Sequence, residues 1–267
     1  MPGWFVRVAP ALIGAAIALG DRTARRKISE QLSRVRGRTG PVRDLLDVVR
    51  TFANFASCLT DVLARGSKNE LAAEVSVDDA YVAALLASAP GIIFVTAHTA
   101  GWERLGSLLA STHRRRVTIV MQRERDPDAR DLQDRVRAAD GAVTILHVGD
   151  DPLGSLPLLR HLRGGGVVAL QIDRVPRGMA GRTVRLFGQP GSIPEGPLRL
   201  AQLTGAPIVP VFSARTARRR YSTRVCPALH VARDADAGEL DAAAQTLAGY
   251  LEAFVRAHPT QWFAFGD

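Results

Sequence analysis

Residues 92–103 run Ile92-Ile93-Phe94-Val95-Thr96-Ala97-His98-Thr99-Ala100-Gly101-Trp102-Glu103, and the fold turns on how this stretch is parsed. Its first six residues are apolar or β-branched, with Pro90-Gly91 before them and a turn after. That is the pattern of a strand buried on both faces. Residues 102–111 read as the helix that follows it. The same alternation repeats along the chain. Strands are expected at 117–122, 142–147, 167–172 and 208–212, with 221–226 continuing the sheet. Helices are expected at 45–63, 78–87, 129–139, 151–163, 198–203 and 239–258. Gly164-Gly165-Gly166 closes one of these helices and Gly205 another, as glycine commonly does. Strands alternating with helices predict an α/β fold, a mostly parallel central sheet flanked by helices on both faces. With no internal repeat and no long linker, one domain is expected over residues 45–267, carrying an N-terminal helical extension over residues 1–44.

A chain of 267 residues, 46% hydrophobic and 23% charged, has the composition of a globular protein and not of a disordered one. Its net charge of +9 favours anionic partners. The charge is uneven: residues 1–50 hold ten Arg or Lys against only Asp21, Glu30, Asp44 and Asp47. Ahead of most of that cluster lies an apolar run at 8–20, bounded by Arg7 and Asp21. As a helix this run covers roughly 20 Å, short of the ~30 Å hydrocarbon core of a bilayer. The expected arrangement is a helix lying in the membrane interface, with Trp4 and Phe5 at headgroup level and the basic cluster against anionic lipid. A buried Ala-rich packing helix is the alternative. A cleaved signal peptide fits less well, because the basic residues that follow would hinder export. Cys58 and Cys226 are too few and too far apart for a disulfide framework or a cysteine-based zinc site, and they suit a reducing compartment.

His98 closes the strand and Glu103 sits one turn into the next helix, where α/β folds place reactive groups. A carboxylate on one imidazole nitrogen fixes the tautomer and stabilises the imidazolium formed when the other nitrogen takes a proton. That pairing activates a hydroxyl for acyl transfer. Gly101 lets backbone or substrate come close, and with Trp102 it offers backbone N–H groups to a developing oxyanion. The same spacing also describes a helix-capping histidine beside an unrelated surface glutamate, so the pair alone decides nothing.

The remaining blocks do. Residues 93–103 resemble the His-X4-Glu block of the bacterial lipid A acyltransferases (the lauroyl and myristoyl transferases), including the preceding strand and the Trp before the Glu. Residues 165–173, Gly-Gly-Val-Val-Ala-Leu-Gln-Ile-Asp, resemble the family's glycine turn, strand and terminal Asp. Phe187-Gly188-Gln189-Pro190 resembles its Phe-Gly-X-Pro element, residues 200–212 its closing helix and strand, and Pro259-Thr260-Gln261-Trp262 its C-terminal Pro-X-Gln-Trp. The blocks occur in order and cover residues 45–265. The resemblance implies transfer of a fatty acyl chain from an acyl carrier protein or CoA thioester to a hydroxyl of a membrane lipid. His98 would be the general base and Glu103 its orienting partner, with no covalent enzyme intermediate and no metal or other cofactor. It also implies a place on the cytoplasmic face of the inner membrane, peripheral or N-terminally anchored. Arg123 stands where the family has an Arg after its second strand, suited to a phosphate. Asp173 and Arg174, at a strand's carboxyl end, are the other candidates for substrate binding. Arg182 and Arg185 carry the right charge for phosphate but no motif.

Two departures qualify the resemblance. Pro194-Glu195-Gly196 looks like the Pro-Glu-Gly motif of glycerolipid acyltransferases but lies among blocks that match the lipid A family. Related acyltransferases of mycobacterial mannolipids often carry Asp where this chain has Glu103, which leans away from them. The heavy Ala and Arg usage nevertheless leaves a mannolipid, another glycolipid or a specialised metabolite open as acceptor. A thioesterase with water at His98 is a further alternative. A serine hydrolase lacks its Gly-X-Ser-X-Gly elbow, and a zinc hydrolase lacks a second nearby His. A nucleic-acid-binding module, suggested by charge alone, lacks any recognisable motif, and no nucleic acid is expected.

Overall fold

The computed structural model describes residues 3–63, 74–76, 79–89, 91–102, 115–122, 143–148 and 154–265. Three helices lead the chain: α1 (Gly3–Gly20), α2 (Arg22–Arg36) and α3 (Pro41–Leu63). Then come β1 (Glu74–Ser76), α4 (Asp79–Ser88), β2 (Ile92–Thr96), β3 (Val117–Gln122), β4 (Val143–Val148), α5 (Leu156–Arg163) and β5 (Val167–Gln171). A hairpin, β6 (Gly181–Leu186) and β7 (Gln189–Pro194), precedes α6 (Gly196–Thr204), β8 (Ile208–Ala217), β9 (Arg220–Val225) and α7 (Ala237–Ala257). A 3-10 turn, Pro259–Gln261, follows. Seven strands form one sheet in the order β1-β9-β8-β2-β5-β3-β4. Every pairing in it is parallel except β8 with β9. The expected α/β architecture is the observed one. The helix expected at 129–139, and the one expected at 102–111 beyond Trp102, fall outside the described residues.

The apolar run of β2 earns its central place by burying both faces. Ile93 and Val95 pack with Leu158 and Leu162 of α5, Leu198 of α6 and Leu247 of α7. Ile92 and Phe94 pack on the other side with Val82 and Leu86 of α4. Each such side chain contributes about 1.5–3 kcal/mol on leaving water, so this strand cannot slip to an edge. α7 starts at a capping box, in which the Asp236 carboxylate accepts the Glu239 N–H at 2.9 Å and the Glu239 carboxylate accepts the Asp236 N–H at 2.9 Å. α6 ends at Gly205, whose φ of 73° is the left-handed conformation of a helix stop.

The N-terminal helices join the body of the protein. Ile28 and Leu32 of α2 pack with Ala18, Val48 and Phe52, and Val35 reaches a second cluster with Phe254 and Trp262. At Gly14 the two helices α1 and α3 touch backbone to backbone: a Cβ there would lie 2.5 Å from the Phe52 carbonyl oxygen. The boundary expected between residues 44 and 45 falls inside α3. α1 is longer than the 8–20 run, yet no helix among the described residues is long and apolar enough to cross a membrane.

Candidate active site

β2 and β5 are adjacent, with Thr96 opposite Gln171, so the residues two further along emerge side by side at the carboxyl ends of the central strands. Those residues are His98 and Asp173. The His98 Nδ1–H donates to Asp173 Oδ1 at 2.9 Å, and the His98 backbone N–H donates to Asp173 Oδ2 at 3.2 Å. A third donor, the Trp262 indole N–H, meets Asp173 Oδ2 at 2.9 Å. The Asp173 side chain has no exposed surface, whereas His98 keeps 28% of its own. Burial alone would raise the Asp173 carboxyl. The His98 ring, the Trp262 N–H and the His98 amide outweigh it and hold the group below the usual carboxylate range. With Nδ1 donating to an ionised Asp173, the lone pair of His98 lies on Nε2, ready to take a proton.

The loop that carries His98 is fastened by the chain beyond α7. The Phe263 N–H donates to the His98 carbonyl at 2.7 Å, and the Ala100 N–H to the Gln261 carbonyl at 3.2 Å. Thr99 and Trp262 form an antiparallel bridge. Gln261 anchors this strap to the sheet: its Oε1 accepts the Arg215 N–H at 2.7 Å and its Nε2 donates to the Arg215 carbonyl at 3.0 Å. The tip of the β6–β7 hairpin supports it from the other side. Phe187 and Gly188 turn there with φ of 53° and 76°. The Phe187 ring packs on Trp262 at 5.6 Å, and its N–H donates to Glu252 at 2.6 Å. The Phe-Gly-X-Pro and Gln-Trp blocks are thus a buttress and a clamp for one carboxylate.

Gly101 has a φ of 80°, and a Cβ on it would lie 2.4 Å from Tyr221 Cδ1, so its close approach is to the protein's own Tyr221. Trp102 lies edge-on to His98 with ring centroids 6.3 Å apart. Glu103 and Arg123 fall outside the described residues. Among the described residues the carboxylate on a ring nitrogen of His98 is that of Asp173, on Nδ1. Asp173, expected to touch substrate, instead turns both oxygens to His98 and Trp262 and positions the histidine. Arg174 is half-buried, and its Nε has no partner among the described residues. Arg182 is committed elsewhere, to Glu195 at 3.0 Å and Asp241 at 2.6 Å. Glu195 also pairs with Arg199 at 2.7 Å, so the carboxylate of Pro194-Glu195-Gly196 is part of an ion-pair network that ties the hairpin to α6 and α7. Arg185 donates to the Gly188 carbonyl at 3.1 Å.

A profile of bacterial lipid A biosynthesis acyltransferases matches residues 11–266, nearly the whole chain. The chain belongs to this family. Two curated relatives bear the name phosphatidylinositol mannoside acyltransferase, from Mycobacterium tuberculosis strains CDC 1551 / Oshkosh and ATCC 25618 / H37Rv. Each is 28% identical over 179 residues, which is 67% of this chain and 54% of the relative. The match thus spans about half the length of those relatives. The resemblance carried by the ordered blocks is the true kinship. Membership in this acyltransferase family also gives the His98–Asp173 pair its chemical context.

Two features of the site escape sequence reasoning. Asp173 stands in a matched block, but nothing local shows that the strand ending at Gln171 neighbours the one ending at Thr96. Trp262 also stands in a matched block. Its duty to Asp173 spans 89 residues and is visible only once the strap is seen across the loop.

Proposed function

We propose that the protein transfers a fatty acyl chain from an acyl thioester, on acyl carrier protein or CoA, to a hydroxyl of a membrane glycolipid. The observation that carries this reading is the solvent-reaching His98 whose far nitrogen is held by a buried, ionised Asp173, within a chain of this family. The acceptor O–H gives its proton to His98 Nε2 while its oxygen attacks the thioester carbonyl carbon. The C–S bond then breaks and the imidazolium returns the proton to the leaving sulfur. Asp173 stabilises the transient imidazolium. Backbone N–H groups at Gly101 and Trp102 are the candidates for the oxyanion. Glu103, Arg123 and Arg174 are retained as candidates beside this pair, Glu103 as an orienting carboxylate for His98 and the two arginines for phosphate. The scheme calls on no cofactor beyond the thioester itself.

The acceptor class is suggested by the relatives' name, a mannose-bearing phospholipid, in spite of Glu103. Peripheral docking on a bilayer is supported by the N-terminal helices. Thirteen large apolar side chains stand exposed among the described residues, and ten of them are on α1 and α3, including Leu12 at 62% and Val42 at 72%. Such an apolar face beside exposed Arg22 and Arg26 suits an anionic membrane surface, with the site at the cytoplasmic face of the inner membrane. The test is mass-spectrometric profiling of lipids from cells with and without the gene, alongside a His98→Ala strain. An acylated lipid that vanishes in both supports the reading and names the acceptor. Release of free fatty acid without any acylated lipid makes the protein a thioesterase, and no change at all sinks the catalytic assignment.

A further inference from the structure

Buried polar side-chain atoms without partners are uncommon in proteins, and here several gather at one end of the sheet. Thr96 Oγ1, Gln171 Nε2 and His147 Nδ1 are each buried with no hydrogen-bond partner among the described residues. Thr96 is 8% exposed. Thr96 is in register with Gln171, and Met121 with His147. Ile119 lies opposite Ala169, so the same register carried two residues further sets Met121 beside Gln171. Residues in register across neighbouring strands point to one face, here the face that Ile92, Phe94, Val117 and Val167 share with α4. Thr96, Gln171, Met121 and His147 therefore form a row across β2, β5, β3 and β4. It starts two residues before His98 and Asp173, and at ~4.8 Å per strand it is about 14 Å long.

A second group of atoms without partners among the described residues, Thr99 Oγ1, Ser213 Oγ and Thr223 Oγ1, lies toward β8 and β9 on the other side of His98. There the chain fills its own space: a Cβ on Gly101 would meet Ser213 Oγ at 3.1 Å and Tyr221 at 2.4 Å. The row toward β4 is where the described residues leave a hydroxyl, an amide and an imidazole without partners.

We propose that this row binds the amide-bearing pantetheine arm that carries the acyl thioester, a proposal that rests on the acyl-transfer reading. The row holds no Arg and no Lys, so it does not suit a phosphate. It holds no Trp, Tyr or Phe face for a sugar ring to stack on. A hydroxyl, an amide, a thioether and an imidazole in sequence match an extended chain of amides separated by short methylene links. The Gln171 Nε2–H donates to an amide carbonyl, the Thr96 hydroxyl accepts an amide N–H, and Met121 lies against the methylenes between. The arm thereby enters along the row, with its sulfur brought up to His98. Coenzyme A and acyl carrier protein present the same arm.

The test compares wild type with Gln171→Leu and Thr96→Val, using acyl-CoA, acyl carrier protein thioester and the truncated N-acetylcysteamine thioester as donors. For whichever pantetheine donor the wild type accepts, each variant is expected to raise donor KM by about 10-fold, the scale of one lost buried hydrogen bond. Acceptor KM should hold within about twofold, and the preference for the full donor over the truncated one should fall by the same ~10-fold. The donor that responds names the natural carrier. A raised acceptor KM with donor KM unchanged assigns the row to the acceptor and overturns the proposal, as does no change in either. If the wild type transfers from no donor, the acyl-transfer reading fails. The row is then judged by calorimetric titration with an S-alkyl coenzyme A thioether, where equal affinity of wild type and Gln171→Leu overturns it.

Discussion

Around His98 a charge is buried, and along α1 and α3 oil is exposed; each departs from the ordinary sorting of side chains, in opposite directions. Asp173 is ionised with no exposed surface, and it is tolerated because three N–H groups converge on it. Val8, Leu12, Ile13, Ile17 and Leu19 face outward on a helix held to α3 by the close approach at Gly14. The first departure is compensated inside the protein and the second is not, among the described residues. A region compensated internally works through its geometry. A region left uncompensated works through what it meets.

Substitutions at the two regions should therefore fail differently. The largest effect is expected from His98→Ala, which removes the base and should lower transfer by at least ~10³-fold, with vesicle binding and thermal midpoint preserved. Loss of vesicle binding in this variant would mean that the two regions are not separable. Next is Asp173→Asn, expected to cost ~10²-fold or more in kcat because the tautomer is no longer enforced. It should also cost about 3 kcal/mol of stability, through loss of a buried pair.

The pH dependence of that loss follows from the sign of the shift. Asp173 is held below its ordinary value in the fold, so its contribution is present above about pH 4 and is lost as pH falls through the folded value. Denaturant titrations of wild type and Asp173→Asn should differ most above that pH and converge below it. A gap that widens in acid would refute the ionised assignment.

Trp262→Phe keeps the ring against Phe187 and removes only the indole N–H. A drop of about 10-fold in kcat, with acceptor KM little changed, is expected if that N–H holds Asp173 in place. Equal losses for Trp262→Phe and Trp262→Ala would instead assign the whole effect to packing. The smallest change in stability belongs to Leu12→Ser with Ile13→Ser, within about 0.5 kcal/mol because both side chains are exposed. This pair should weaken sedimentation with anionic vesicles severalfold and leave transfer to a detergent-dispersed acceptor intact. A fall in thermal midpoint instead of vesicle binding would make α1 a packing helix.

Much of the sheet was legible because β2, β3, β5 and β8 are apolar runs between glycines, prolines and polar turns. Such runs have no alternative place to be buried. The β6–β7 hairpin was not, since Gly181–Leu186 and Gln189–Pro194 carry few strand-favouring residues and much of their support comes from α7, as where Gln245 brackets the Arg185 backbone at 2.8 and 3.0 Å. β1 is three residues long and, among the described residues, pairs only with β9, too brief to leave a periodic signal. In the site, His98 was legible from its place after a strand. Spacing within one segment, as between His98 and Glu103, is all that local reading can weigh. Asp173 and Trp262 reach His98 through sheet order and chain return, which are properties of the whole fold.

The strap over His98 also bears on when the protein becomes competent. Gln31 donates to the Trp262 carbonyl across 231 residues, and Asn54 to the Thr260 carbonyl across 206. Contacts between such distant parts of a chain are closed late in folding. On a ribosome, His98 and Asp173 emerge well before the segment that clamps them, and α1 and α3 emerge before His98. The reactive pair is therefore locked only once the strap at residues 259–263 has met α2 and α3.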